Sequence, residues 1–222
     1  MKALISGYGR MGHMIEQVLA ERGIPCAGWS EDIASVPAEQ ARECVCIDFT
    51  TPDAFRKNYG VIAERFGAAV IGTTGWYDIR EEVFSAFRRC GTPMVWASNY
   101  SVGVNVLTAA VRQTARLLAK AGGYTPYLVE KHHCHKLDAP SGTALTLKEA
   151  VEEYMPVPGA ICSVRAGEIP GIHSVTFEGL NDRITLEHEA FSRRGLAEGA
   201  VLAATLVVGT EGVHEFKELF FQ

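Results

Sequence analysis

The residues best equipped for chemistry lie between Glu130 and Ala144, in the run EKHHCHKLDAPSGTA. Three histidines, two lysines, two carboxylates and a Pro-Ser-Gly-Thr turn fall within fifteen residues. His132 and His133 can gain or lose a proton near neutral pH. Lys136 adds a fixed positive charge. Ser141 stands where a helix would start, as an N-cap. Backbone N–H groups and the positive end of a helix dipole favour an anion at such a point. An ammonium beside a helix N-terminus is a pocket for a carboxylate or phosphate. Metal is the rival reading, because His132, His133, Cys134 and His135 are all zinc-ligand types. Consecutive residues do not readily converge on one ion, so the sequence is read as having no metal site. The plainest reading makes the histidines packed side chains, Lys136 a solvated charge and Ser141 only a cap.

The flanking elements must hold this run in place. Tyr127-Leu128-Val129 is apolar and partly β-branched, which predicts a strand leading in. Residues 144–154 (ALTLKEAVEEY) carry apolar side chains at helical spacing. The charged run is therefore a strand-to-helix loop on a rigid scaffold. In extended chain, neighbouring side chains face opposite ways. One of His132 and His133 then faces the pocket while the other packs behind it.

A second chemical stretch opens the chain. Ala3-Leu4-Ile5 predicts a strand running into Gly7-Tyr8-Gly9-Arg10-Met11-Gly12, a GxGxxG pattern. A helix follows, with Met11, Ile15, Val18 and Leu19 on one face, then a strand over residues 24–29. Strand, glycine turn, helix and strand together make this a dinucleotide-binding fingerprint. Gly7 permits the tight turn, Gly9 lets backbone approach a pyrophosphate, and Gly12 lets helix and strand pack closely. Glu31, about twenty residues on, is placed to bind a ribose. With Asp32 beside it, a further ribose phosphate is repelled, so NADH is favoured over NADPH. The plainer reading makes both loop charges.

Strands at 45–49, 68–71 and 94–97 end in Thr50-Thr51-Pro52, Gly72-Thr73-Thr74-Gly75 and Asn99-Tyr100-Ser101. In a parallel sheet those ends line one edge, where cofactor binds. The alternation up to residue 100 is that of a doubly wound α/β domain. After a long helix over 102–120 the character changes. Strands around 125–133, 160–165, 173–178 and 183–189 predict a smaller α+β domain with an open, mixed sheet. Residues 196–208 return to helix, and 216–221 form a short apolar ending.

The chain has 222 residues and a net charge of −5 without a basic stripe, which argues against nucleic-acid binding. Cysteines at 26, 44, 46, 90, 134 and 162 show no CxxC pair, consistent with free thiols in a reducing cytoplasm. The opening apolar run is too short for a secretory signal, and 200–208 is too short to span a bilayer.

The run Glu130-x-His132-His133-x-x-Lys136-x-Asp138-x-Pro140-Ser141-Gly142-Thr143-Ala144 resembles the signature of the 4-hydroxy-tetrahydrodipicolinate reductase (dihydrodipicolinate reductase) family. GYGRMG, IDFT at 47–50, IGTTG at 71–75, SNYSVGVN at 98–105, RAG at 165–167 and Gly171-x-His173 extend the resemblance over most of the chain. It implies reduction of 4-hydroxy-tetrahydrodipicolinate to tetrahydrodipicolinate by hydride from NAD(P)H, in the diaminopimelate route to lysine. It implies His132 as general acid and Lys136 as both carboxylate ligand and catalytic cation. His133, Ser141, Gly142 and Thr143 would line the dicarboxylate pocket. Cofactor would lie along Gly7, Tyr8, Gly9, Arg10, Met11, Gly12, Glu31, Gly72, Thr73, Thr74, Ser98, Asn99 and Tyr100. It also implies a Rossmann-type domain of residues 1–101 and 193–222, a substrate-binding and oligomerisation domain of 102–192, and a homotetramer.

The chain departs from the family pattern in places. Ser6 stands where many members have glycine, Asp32 where NADPH users often have arginine, and Tyr100 where phenylalanine is common. The segments between Trp29 and Cys44 and after Tyr154 are shortened. A reductase acting on a different small acid therefore stays in view. A nucleotide-binding regulatory protein would be marked by loss of His132 or Lys136, and both are present.

Overall fold

Apolar strands alternating with helices build the first part of the chain into a parallel sheet. The computed structural model describes residues 1–222. Its first strands are β1 (Lys2–Ser6), β2 (Cys26–Ser30), β3 (Cys44–Asp48), β4 (Ala68–Ile71) and β5 (Met94–Trp96), all paired in parallel. Between them run α1 (Arg10–Glu21), α2 (Ala38–Arg42), α3 (Pro52–Arg65) and α4 (Arg80–Cys90). β3 and β4 are buried along their whole length. Such strands read as unbroken apolar runs because helices cover both faces of the sheet. Phe55, Trp76, Val83 and Phe87 fill one side of it. Burying side chains of this kind contributes about 1.5–3 kcal/mol each.

The helix ends follow local chemistry. Pro52 opens α3 and the Thr51 hydroxyl accepts the Ala54 N–H at 3.2 Å. Gly23, at φ +64°, ends α1 by donating to the Ala20 carbonyl. Residues 31–43 hold a 3₁₀ turn (Ile33–Ser35) and α2. Ile33, Val36 and Ala41 are buried in the same core and tie that segment down.

The middle of the chain is a separate unit. It comprises α5 (Val102–Ala121), β6 (Thr125–His132), α6 (Gly142–Glu152), β7 (Cys162–Arg165), β8 (Ile172–Glu178) and β9 (Arg183–Glu189). The strand order is β7-β6-β8-β9, with β6 and β7 parallel and the other pairs antiparallel. Alternation along β6 sends Leu128, Glu130 and His132 to the buried face. Leu128 packs there with Val175 and Phe177 against Leu107 and Val111 of α5 and Leu147 and Val151 of α6.

The chain then forms α7 (Arg194–Leu206), β10 (Val213–Glu215) and α8 (Phe216–Phe220). β10 pairs in parallel with β5, giving a six-stranded sheet of order β10-β5-β4-β3-β1-β2. No pattern in the sequence announces this strand, because three residues carry no alternation. Two compact units result, Met1–Ser101 with Leu196–Gln222, and Val102–Gly195. No helix is long and apolar enough to cross a membrane.

Candidate active site

In the second unit, strand register assembles a charged cluster around His132. Arg165 of β7 lies beside His132 in the parallel ladder, and His173 of β8 lies opposite Glu130 in the antiparallel one. Glu130 is fully buried. One of its oxygens takes His132 Nδ1 in a short contact, and the other accepts from the Arg165 guanidinium at 2.7 Å. Arg165 also donates to the Asp138 carbonyl at 2.6 Å, which fixes the start of the Pro-Ser-Gly-Thr turn. With Nδ1 held by a carboxylate, Nε2 of His132 is the nitrogen left for a reacting partner. A Cβ on Gly171 would stand 3.2 Å from that Nε2, so glycine there lets the backbone pass close to the ring.

The electrostatics follow from burial and pairing. Burial alone would push the Glu130 carboxyl up, but hydrogen bonds from Arg165 and His132 help to hold it below the ordinary range. Burial lowers His132, only partly opposed by the Glu130 hydrogen bond and charge. Burial, with the neighbouring His132, lowers His173 to about 4. The Ser141 hydroxyl caps α6 by accepting the Ala144 N–H at 3.3 Å and lies 3.1 Å from His173 Nε2. Ser141 therefore both starts the helix and fixes the neutral His173 ring.

Lys136 and the start of α6 face outward from this cluster. The Lys136 ammonium donates to Asp138 at 2.8 Å, with Lys136 23% and Asp138 60% exposed. The lysine therefore already holds a carboxylate. At Gly142 an added Cβ would meet nothing within 4 Å, so the helix start is open backbone. His133, just past the end of β6, is half-buried with Nδ1 unpaired in the interior. Adjacent residues do converge here: Cys134 Sγ and His135 Nε2 are 3.5 Å apart, and Glu168 reaches His135 at 3.2 Å.

In the first unit, the sheet edge carries the glycine turn. Gly7 has φ +84°, and a Cβ there would stand 2.7 Å from Thr50 Cγ2. A Cβ on Gly12 would stand 2.5 Å from the Gly7 carbonyl oxygen. At Gly9 it would meet nothing within 4 Å, and no side chain caps α1 at that residue. An open helix N-terminus with no side chain of its own fits a pyrophosphate. Glu31 and Asp32 are exposed after β2, with Asp32 accepting the Ala34 N–H at 3.2 Å. Tyr8 stacks on Trp29 at 4.4 Å and 6°, a flat aromatic surface that sequence reasoning missed.

Other predicted cofactor residues are partly structural. Thr73 is buried, donating to Asp48 at 2.5 Å and accepting the Thr50 N–H at 2.7 Å. Asp48 also accepts from Ser6 at 2.6 Å, and burial pushes its carboxyl up. Gly72 gives room to the Phe49 ring, which a Cβ would meet at 2.1 Å. Tyr100 is a core residue: its hydroxyl reaches the Ile71 and Val95 carbonyls, each at 3.0 Å, and its ring packs on Phe49 and Phe216. Its side chain is not available to a ligand. Arg10, Thr74 and Ser98 are exposed, Met11 and Asn99 half-buried, and Asn99 accepts the Ser101 N–H at 2.8 Å. Glu130, Arg165 and His173 were quoted in the sequence motifs without roles, and only strand register shows that they meet.

Known proteins match both units. A family model described as dihydrodipicolinate reductase, N-terminus, matches residues 21–100, and one described as dihydrodipicolinate reductase, C-terminus, matches 103–220. A 4-hydroxy-tetrahydrodipicolinate reductase of Christiangramia forsetii is 33% identical over 99% of this chain and 97% of its own. One from Stenotrophomonas maltophilia is 42% identical over 94% of this chain and 92% of its own. The solved structure of a dipicolinate-bound dihydrodipicolinate reductase from Paenisporosarcina sp. TG-14 shares the fold, with a TM-score of 0.78, 19% identity and 97% of each chain covered. The two-part family match and the near full-length relatives together place this chain in the dihydrodipicolinate reductase family.

Proposed function

We propose that this chain reduces 4-hydroxy-tetrahydrodipicolinate to tetrahydrodipicolinate, with His132 as proton donor, Lys136 as the main carboxylate ligand, and NADH preferred over NADPH. Replacing the ring hydroxyl by hydrogen consumes one hydride and one proton and releases water. A nicotinamide supplies the hydride when bound. Lys136, exchanging Asp138 for a substrate carboxylate, fixes the dianion with the N-terminus of α6. Gly142 leaves backbone open for that contact, with His133, Ser141 and Thr143 around it. His132 delivers the proton from Nε2 while Glu130 holds Nδ1, and a bound dianion favours the protonated ring. Arg165 keeps Glu130 charged and in place. In the first unit, Gly7, Gly9 and Gly12 bind pyrophosphate by backbone, and Glu31 binds the ribose. The fixed Asp32 carboxylate beside Glu31 disfavours a ribose phosphate.

The observation that carries this reading is the Glu130–His132 contact beside Lys136 and the capped start of α6: an anchored imidazole next to an anion pocket. For self-association we assign the sheet face opposite α5 and α6, with Tyr127, Val129 and Ile172, which fits a tetramer testable by sedimentation.

The deciding experiment is a cofactor-oxidation assay with substrate made freshly from pyruvate and aspartate semialdehyde by the preceding synthase. NADH and NADPH are run in parallel. Oxidation that needs both synthase and this chain, faster at low NADH than at low NADPH, is the expected result. Cofactor binding without oxidation would overturn the substrate assignment. A preference for NADPH would overturn the role of Glu31 and Asp32 alone.

A further inference from the structure

We propose that Cys134, His135 and Glu168 form a binding site for a thiophilic divalent cation of the zinc class, and that its occupancy slows turnover by fixing the loop that carries Lys136. One ligand atom from each residue lies within 4.8 Å of the others. Sγ to Nε2 is 3.5 Å and Nε2 to the carboxylate is 3.2 Å. Around a tetrahedral zinc, with bonds of about 2.3 Å to sulfur and about 2.0–2.1 Å to nitrogen or oxygen, donors stand ~3.3–3.6 Å apart. These two separations are close to the edges of such a tetrahedron, and the Cys134–Glu168 pair lies within 4.8 Å.

The loops that carry these donors are held together by backbone. The Cys134 N–H donates to the Gly167 carbonyl at 3.1 Å, and the Ala166 N–H donates to the His132 carbonyl at 2.9 Å. Donors 33 residues apart are thus placed before any ion arrives. A thiolate, an imidazole and a carboxylate suit zinc, whereas magnesium and calcium take oxygen ligands. All three residues are exposed, which leaves the fourth position to water.

The buried trio Glu130, His132 and His173 also lies within 4.8 Å. It suits a cation poorly, because the Arg165 guanidinium sits 2.7 Å from Glu130 and His173 Nε2 already faces the Ser141 hydroxyl. The exposed trio has no cation against it. Its ion would anchor residues 134 and 135, next to Lys136, whose N–H closes a turn onto the His133 carbonyl at 3.2 Å. Lys136 must release Asp138 to take a substrate carboxylate, and a loop pinned on this side resists that exchange. Binding of the ion rests on geometry alone, while the effect on turnover rests on the role proposed above for Lys136.

The full chain, kept reduced without a chelating thiol, is titrated with zinc by calorimetry and with Co(II) by absorption. The parent is compared with Cys134→Ser and Glu168→Gln. The expected result is one ion per chain, with a thiolate-to-cobalt charge-transfer band that Cys134→Ser abolishes. Loss of an outer-shell partner costs ~10–100-fold in metal affinity, so losing either ligand should cost about 100-fold or more. Absence of the band, or zinc affinity unchanged in both variants, overturns the site. In the synthase-coupled assay, zinc should slow the parent several-fold and leave both variants, active as the parent without metal, unaffected. Zinc bound at Cys134 with no change in turnover overturns the throttle and leaves the site standing. A parent inactive without zinc bears against the reductase reading instead.

Discussion

Glu130 holds two groups at once from a fully buried position, the Arg165 guanidinium and the His132 ring. Glu130→Gln keeps the shape but leaves the Arg165 guanidinium without its counter-charge. Breaking a buried pair from one side costs about 3–5 kcal/mol, the upper bound here because Arg165 is partly solvated. The melting temperature should fall and turnover should drop at least ~10-fold. Adding Arg165→Met should restore melting without restoring turnover, which separates holding the fold from orienting His132. If turnover returns with stability, Glu130 does not position the imidazole. His132→Gln should lower turnover ~10²–10⁴-fold, the usual contribution of one positioned acid, with nucleotide binding intact. Unchanged turnover would remove His132 from the reaction. Lys136→Ala should raise KM and lower kcat together, since the exposed Lys136–Asp138 pair is worth only about 0–1 kcal/mol and yields readily to a substrate.

The glycine turn separates two functions within one element. Gly12→Ala puts a Cβ 2.5 Å from the Gly7 carbonyl, a contact that only backbone movement relieves. It should lower the melting temperature and nucleotide affinity together. Gly9→Ala meets nothing within 4 Å, so it should melt like the parent and still lose affinity where the pyrophosphate sits. Equal NADH titrations for Gly9→Ala and parent would remove the pyrophosphate from this turn. These positions were legible in the sequence because the glycines, the strand before them and the helix after them are local. The start of α6 was legible for the same reason, as Ser141 shows by capping it. What stayed hidden depends on register or distance. Arg165 and His173 reach Glu130 only through β7 and β8, and Glu168 reaches His135 only through the paired loops. Tyr100 looked like an edge residue because it follows a strand end, yet its ring turns inward between Phe49 and Phe216.

At the scale of the molecule, the buried histidines make stability depend on pH. His173 titrates at about 4 folded against an ordinary 6.5, so between those values the unfolded chain holds the extra proton. Its contribution is complete above pH 6.5 and is lost as pH falls toward 4, for a total of about 3 kcal/mol. His188, opposite His173 across the ladder and also lowered by burial, acts in the same sense. Urea unfolding of the second unit at pH 7.5 and 4.5 should show this loss, smaller in His173→Gln; equal losses would place the effect elsewhere. The late arrival of β10 also orders the events of synthesis. Residues 102–195 form a continuous compact unit that leaves the ribosome whole, while the outer edge of β5 waits for residues 213–215. Until then Met94–Trp96 offers unpaired backbone to any neighbouring strand. A chain ending near residue 205 would therefore carry a finished inner unit and an adhesive sheet margin, and released fragments ending there should be captured by chaperones more than the full chain.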